Sequence, residues 1–136
     1  MIRRFASYAW ASPNSLLGLI AGLAMLCFGG RVQWVRHCAE FSGGLIGSLF
    51  VSRAIDCRFR AITLGHVVLG TDKAALSAAR AHEHVHVRQY ERWGPFFLPA
   101  YVVSSLWQAI IGRRCYRDNY FERQAFAAVP NRRGSP

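Results

Sequence analysis

The segment Ala81-His82-Glu83-His84-Val85-His86-Val87-Arg88-Gln89 is where this 136-residue chain concentrates side chains able to do chemistry. His82, Glu83 and His86 fit the spacing H-E-x-x-H. On a helix, positions i and i+4 share one face a turn apart, so the imidazoles of His82 and His86 can converge on one cation. Tetrahedral Zn²⁺ takes such nitrogens at about 2.0–2.1 Å. Glu83, about 100° further round the helix, misses the ion but can accept a proton from a water that the ion activates. His84 falls about 200° from His82 and is expected to be structural, near Arg88 and Glu91. Gln89, one turn beyond His86, either lines the cleft or orients a ligand, unless it is simply an exposed glutamine. The plain alternative for the segment is a solvated helix face whose histidines pair with glutamates.

A catalytic zinc needs three protein ligands and one open position. Glu122, in Asn119-Tyr120-Phe121-Glu122, is the candidate third ligand, although Asn119 and Glu122 also have capping-box spacing. His66 is the runner-up ligand. His66, Tyr116 and Tyr120 are also candidates to stabilise a developing oxyanion. A lone strand histidine is otherwise structural, because one hydrogen bond satisfies it.

These residues must be held by defined elements. Lys73 to Trp93 contains good helix formers and no Gly or Pro, with Thr71 or Asp72 as N-cap and Gly94-Pro95 as the stop. Ile62 to Leu69 is rich in β-branched residues and is the best strand candidate, with Gly65 marking a bulge or a close backbone approach. A strand before the motif suits an edge that holds an extended substrate. Arg31 to Glu40 reads as a strand or loose hairpin, and Phe41 to Ser52 as a glycine-weakened helix. Asp118-Asn119 opens a short helix, Tyr120 to Ala128. The expected fold class is α+β, a small domain with the motif helix packed on a short sheet or hairpin, plus apolar membrane-associating helices.

At these residues the chain resembles a gluzincin-type zinc metallopeptidase, in which the two histidines of H-E-x-x-H and a downstream glutamate bind zinc. His86-Val87-Arg88-Gln89 is similar to small bacterial domains with an H-E-x-x-H-V-x-Q pattern, which are predicted metallopeptidases. The resemblance runs from about Ile62 to Ala127. It implies His82, His86 and Glu122 as ligands, Glu83 as general base and a peptide or protein as substrate. Many gluzincins follow the third ligand with an acidic residue that orients a histidine. Here Arg123, Gln124, Ala125 and Phe126 follow, so outer support must come from elsewhere, such as Asp118 or a backbone carbonyl.

Composition frames the setting. The chain is 52% hydrophobic, with mean hydropathy +0.13 and a net charge of +10. The apolar residues are bunched, and the charge is mostly arginine, which suits phosphate or an anionic membrane face. Ser15 to Gly30 carries no charge and approaches the length of a spanning helix. It reads as a short transmembrane helix, a membrane-dipping arm, a buried helix or a signal peptide. No small-x-small site follows it, which favours retention in or on the membrane. Phe96 to Ile111 is a second uncharged run, interrupted by Pro99, with Trp93, Tyr101 and Trp107 of the type that prefers the interface.

Three regions follow: residues 1–30, a basic lead and apolar membrane-associating or signal-like helix; 31–129, a zincin-like domain; and 130–136, a disordered tail. The expected place is membrane-associated, at a bacterial inner membrane or its cytoplasmic face. Cys27, Cys38, Cys57 and Cys115 form no C-x-x-C pair, which favours free thiols over a disulfide framework or a cysteine metal site. A nucleic-acid partner is disfavoured, because the aromatics sit in apolar runs rather than among the arginines. The leading expectation is zinc-dependent peptide-bond hydrolysis at a membrane surface. The alternative is a non-catalytic membrane-associated protein with a structural metal site.

Overall fold

The structure, a computed structural model, describes residues 2–53 and 61–129. The 130–136 tail and Cys57 lie outside the described residues, and Cys27, Cys38 and Cys115 are free. The fold is α+β, with five helices and a four-stranded mixed sheet among the described residues.

Helix α1 runs from Ile2 to Cys27. Pro13 lies inside it and removes one backbone N–H. Its missing donor would have faced the Ala9 carbonyl. The Ser12 hydroxyl donates to that carbonyl at 2.7 Å, so the helix continues through the proline. Arg3–Cys27 is long and apolar enough to cross a membrane, by length and composition only.

Strands β1 (Gly30–Val35) and β2 (Cys38–Gly43) form an antiparallel hairpin. Its two turn residues, Arg36 and His37, both adopt positive φ. The Tyr8 hydroxyl holds the turn by donating to the His37 carbonyl. Phe41 to Gly43 belong to β2, so helix α2 starts only at Gly44 and runs to Arg53. Phe41 is strand because it pairs with Val32 and Leu69 and lies under α1.

The expected single strand over Ile62 to Leu69 is two strands, β3 (Ala61–Leu64) and β4 (Val67–Gly70). Gly65, at φ +62°, turns the chain, and a side chain there would collide with Ser15. The sheet order is β1-β2-β4-β3, with β2 and β4 parallel.

Two helices sandwich this sheet. α1 approaches one face closely through Gly18 and Gly22, where a Cβ would strike Val67 or Phe41. That face contributes Ala39, Phe41, Val67 and Leu69, packed with Met25. Helix α3 (Lys73–Trp93) covers the other face, where Leu76 packs on Ala61 and Val68. Asp72 caps α3 by accepting from the Ala75 N–H at 2.7 Å, and Gly94 ends it at φ +55°.

A 3-10 turn (Gly94–Phe96) leads into α4 (Phe97–Ile110), and α5 (Tyr120–Ala128) follows. Pro99 sits in the first turn of α4, where no helical N–H is required of it, and so does not interrupt the run. Ala11, Tyr90, Phe97 and Phe121 form one buried cluster that joins α1, α3, α4 and α5. It fixes α5 beside the motif face of α3. Outward, α1 exposes Leu16, Leu17, Ile20 and Leu23, and α4 exposes Val103, Leu106, Trp107 and Ile110.

Candidate metal centre

The motif face of α3 and the first turn of α5 meet at three side chains. His82 Nε2 lies 2.9 Å from Glu122 Oε2. His86 Nε2 lies 3.2 Å from Glu122 Oε1 and 3.2 Å from His82 Nε2. Tetrahedral ligands at 2.0–2.1 Å from zinc stand roughly 3.3 Å apart, so these separations approach the edges of such a tetrahedron. His82, His86 and Glu122 form a group able to hold a metal ion.

Glu122 is 3% exposed and His82 15%, so the cluster is almost dry and its most accessible member is His82. Capping does not explain Glu122. Asn119 caps α5 alone, accepting from the Phe121 N–H at 2.9 Å, while the Glu122 carboxylate turns to the imidazoles.

Gln89 decides the tautomer of His86. Its amide nitrogen donates to the Phe121 carbonyl and to Gln124 Oε1, both at 3.1 Å. That orientation leaves Gln89 Oε1 facing His86 Nδ1 at 2.8 Å, so Nδ1 carries the hydrogen. In the neutral ring Nε2 is then a bare lone pair aimed at His82 and Glu122. A single proton on His82 cannot serve Glu122 and His86 at full strength together, whereas one divalent cation serves all three donors. Gln89 is buried against His86 rather than facing solvent. Such outer hydrogen bonds fix ring orientation and raise ligand basicity.

In the imidazolium form, by contrast, His86 Nε2 carries a hydrogen and donates it to Glu122. Burial pushes Glu122 up, but its hydrogen bonds to His82 and His86 and the nearby His86 charge overcome this, and its carboxyl falls to about 2. Burial pulls His86 down, yet the hydrogen bond and charge of Glu122 outweigh it and leave His86 raised. The cluster therefore favours positive charge at its centre.

Glu83 is buried beside the cluster and feels the charges of His86 and His82. Burial raises its pKa against the opposing hydrogen bond from Thr63, whose hydroxyl donates to Glu83 Oε2 at 2.7 Å. A carboxylate raised in this way is a better proton acceptor near neutral pH.

No protein-family model, curated protein or solved structure matches this chain.

Other candidates lie elsewhere. His66 is not on a strand but in the β3–β4 turn, where Nε2–H donates to Glu91 at 3.1 Å. It does not join His82, His86 and Glu122, because its ring is held against Glu91, nine residues along α3 from His82. Tyr120 is exposed and its hydroxyl accepts from Gln124. Tyr116 stands edge-on to Phe126, whose ring centre is 4.7 Å from that of His82. His84 approaches Glu40 at 3.8 Å rather than Glu91. Asp118 accepts from the Arg114 N–H and does not support the ligands.

Two contributors escape a reading of the sequence. Thr63 reaches Glu83 from β3. Tyr101 on α4 donates its hydroxyl to Glu122 Oε1 at 2.7 Å. Burial, then the Glu122 charge, raise the Tyr101 phenol far above its ordinary value, so it remains a donor. Its one signal is a hydroxyl-bearing ring inside an otherwise apolar run.

Proposed function

We propose that this chain is a metal-dependent hydrolase, of the gluzincin-like type, with zinc held by His82, His86 and Glu122 and acting on peptide bonds at a membrane surface. The observation that carries the reading is the convergence of two imidazole nitrogens and a carboxylate, with Gln89 setting the His86 lone pair inward. Nitrogen and oxygen donors at these separations suit zinc. A divalent cation in this place would supply a more acidic, more nucleophilic water.

The chain's own residues divide the remaining work. Glu83 accepts a proton from the attacking water and passes it to the departing amine. Thr63 holds the Glu83 carboxyl in place, and Tyr101 holds Glu122. β3 is an edge strand beside α3, the position an extended peptide would need, although the Tyr90 hydroxyl already occupies the Thr63 carbonyl. The exposed apolar residues of α1 and α4, with exposed Arg113 and Arg114 just after α4, support the membrane surface as the setting.

The burial of Glu122 and His86 favours a second reading, a structural metal that pins α5 to α3. Metal analysis of the purified full chain separates the two. Under the catalytic reading, wild type and Glu83→Gln each carry one equivalent of zinc, His86→Ala carries none, and only wild type cleaves a mixed peptide library. Zinc-loaded protein that cleaves nothing and unfolds on chelation would establish the structural reading. Wild type that takes up no zinc ends both.

A further inference from the structure

Strand β1 forms one edge of the sheet, and its outer side pairs with no strand among the described residues. The hairpin register settles which groups lie on that side. Val35 and Cys38 close a two-residue turn, so Val35, Gln33 and Arg31 are the residues that exchange hydrogen bonds with β2. The amides of Ala39 and Gly43, opposite Trp34 and Gly30, keep the same alternation: they turn away from β1, to the His66 and Thr71 carbonyls that flank β4. The N–H and C=O of Val32 and Trp34 therefore point out from the sheet edge.

The side chains of the same two residues are uncovered. They stand opposite Phe41 and Ala39, on the α1 face, whereas Gln33 turns to the α3 face and reaches Glu40. Helix α1 stops short of them, leaving Val32 46% and Trp34 76% exposed. Natural edge strands are blunted by proline, lysine, a bulge or shortness. β1 has six residues, GRVQWV, in unbroken register with β2, and none of these devices. Such an edge is a template for another extended strand, which main-chain hydrogen bonds hold and alternate side chains select.

Charge decides whose strand it is. Exposed Arg31 and Arg36 bracket the open row. A second copy pairing antiparallel about Gln33 would bring Arg31 of one copy within a residue of Arg36 of the other, and each copy carries a net charge of +10. Like charges across a strand pair are destabilising, and opposite charges are favourable.

We infer that β1 binds an extended segment of another protein by strand addition, a segment apolar at alternate positions and acidic at both ends. β1 is at the opposite edge of the sheet from β3. The site is therefore separate from the metal cluster and stands whether or not the chain hydrolyses peptides.

The test titrates the purified full chain, in one mild detergent, into a fluorescein-labelled capped peptide, Glu-Thr-Leu-Thr-Val-Glu, read by anisotropy. The expected result is saturation at one equivalent. Two N-methylated versions, one modified on Leu and Val and the other on both Thr, keep every side chain. In an added strand one set of amides faces β1 and the other faces away. One version should therefore bind at least about 10-fold more weakly and the other unchanged, and which one fails gives the strand direction. Exchanging both Glu for Lys should weaken binding about 10-fold as attraction becomes repulsion. Val32→Pro removes an outward N–H and leaves the β1–β2 ladder whole, so it should abolish binding in a protein that thermal melting shows to be folded. Should that variant fail to fold, the two methylated peptides on unmodified protein decide alone. Equal affinity for the two methylated peptides overturns the proposal, as does a Lys-ended peptide that binds as tightly as the Glu-ended one. A free chain that sediments as a dimer, with Val32→Pro a monomer, overturns it too, since the occupant is then a second copy.

Discussion

Helix α3 carries two clusters in which a buried carboxylate meets histidine, and they are built to opposite ends. On one side Glu122 faces His82 and His86, and its other partner is the neutral hydroxyl of Tyr101. On the other side Glu40 of β2 faces His84, but Arg80 donates to both of its oxygens at 2.9 Å and Gln33 donates at 2.7 Å. Arginine is always charged, so Glu40 is neutralised by the fold itself. Glu122 is met by imidazoles whose charge is conditional. The first arrangement depends on charge that must be gained, and the second already contains a fixed cation. Carboxylate and histidine in proximity are therefore poor evidence for a metal until the fixed cations nearby have been counted.

Removing ligands should separate the clusters most sharply. His82→Ala and Glu122→Gln should each lower zinc affinity by more than about 100-fold, beyond what an outer hydrogen-bond partner is worth. His84→Ala and Glu40→Gln should leave zinc affinity unchanged within about twofold. Competition with a chromogenic chelator measures all four. Equal losses from both sets would erase the distinction drawn here.

Gln89 tests the same contrast more gently. Gln89→Leu keeps the volume but removes the acceptor that holds the His86 Nδ1 hydrogen. Zinc affinity should fall about 10–100-fold, the range for lost outer hydrogen bonds at metal sites. The substitution also frees the Phe121 carbonyl, so far-ultraviolet melting must accompany it. A folded Gln89→Leu protein with wild-type affinity would show that the amide merely packs.

How much of this was legible in the sequence differs by element. α3 reads from Asp72 to Gly94 because cap, helix formers and stop all agree, and His82 and His86 follow from their spacing alone. Glu122 is legible as a candidate only, since the sequence cannot tell a cap from a ligand; the geometry gives capping to Asn119. The β3–β4 hairpin is hidden because Ile62–Leu69 is β-branched on both sides of one glycine, and the polar turn residue that normally announces a hairpin is replaced by His66. The full length of α1 is hidden because its basic, aromatic first half differs in composition from the apolar run, although Ser12 carries the helix through Pro13 by donating to the Ala9 carbonyl. Tyr101 is hidden most completely, because a phenol in an apolar run suggests a membrane interface until α5 is seen beside it.

The smallest effect belongs to the self-neutralised cluster and concerns stability. Glu40 is 1% exposed and Arg80 32%. Burial pushes the Glu40 carboxyl up, but hydrogen bonds from Arg80 and Gln33, and then the Arg80 and His84 charges, bring it below its ordinary value of 4.5. A carboxylate depressed in the folded state stabilises the protein above its unfolded pKa, and that contribution is lost as pH falls through the folded value. Glu40→Gln should therefore cost about 2 kcal/mol at pH 7, within the range for hydrogen bonds to charged groups and moderated by the solvent around Arg80. The gap between wild type and variant should hold from pH 7 to about 5 and narrow below about pH 4.5, as wild type loses what the variant never had. Urea unfolding of the zinc-free protein at a series of pH values reads this directly, since metal affinity cannot then contribute. A gap that stays constant into acid would mean that Glu40 matters for its shape rather than its charge, and the contrast between a fixed and a conditional cation would lose its electrostatic basis.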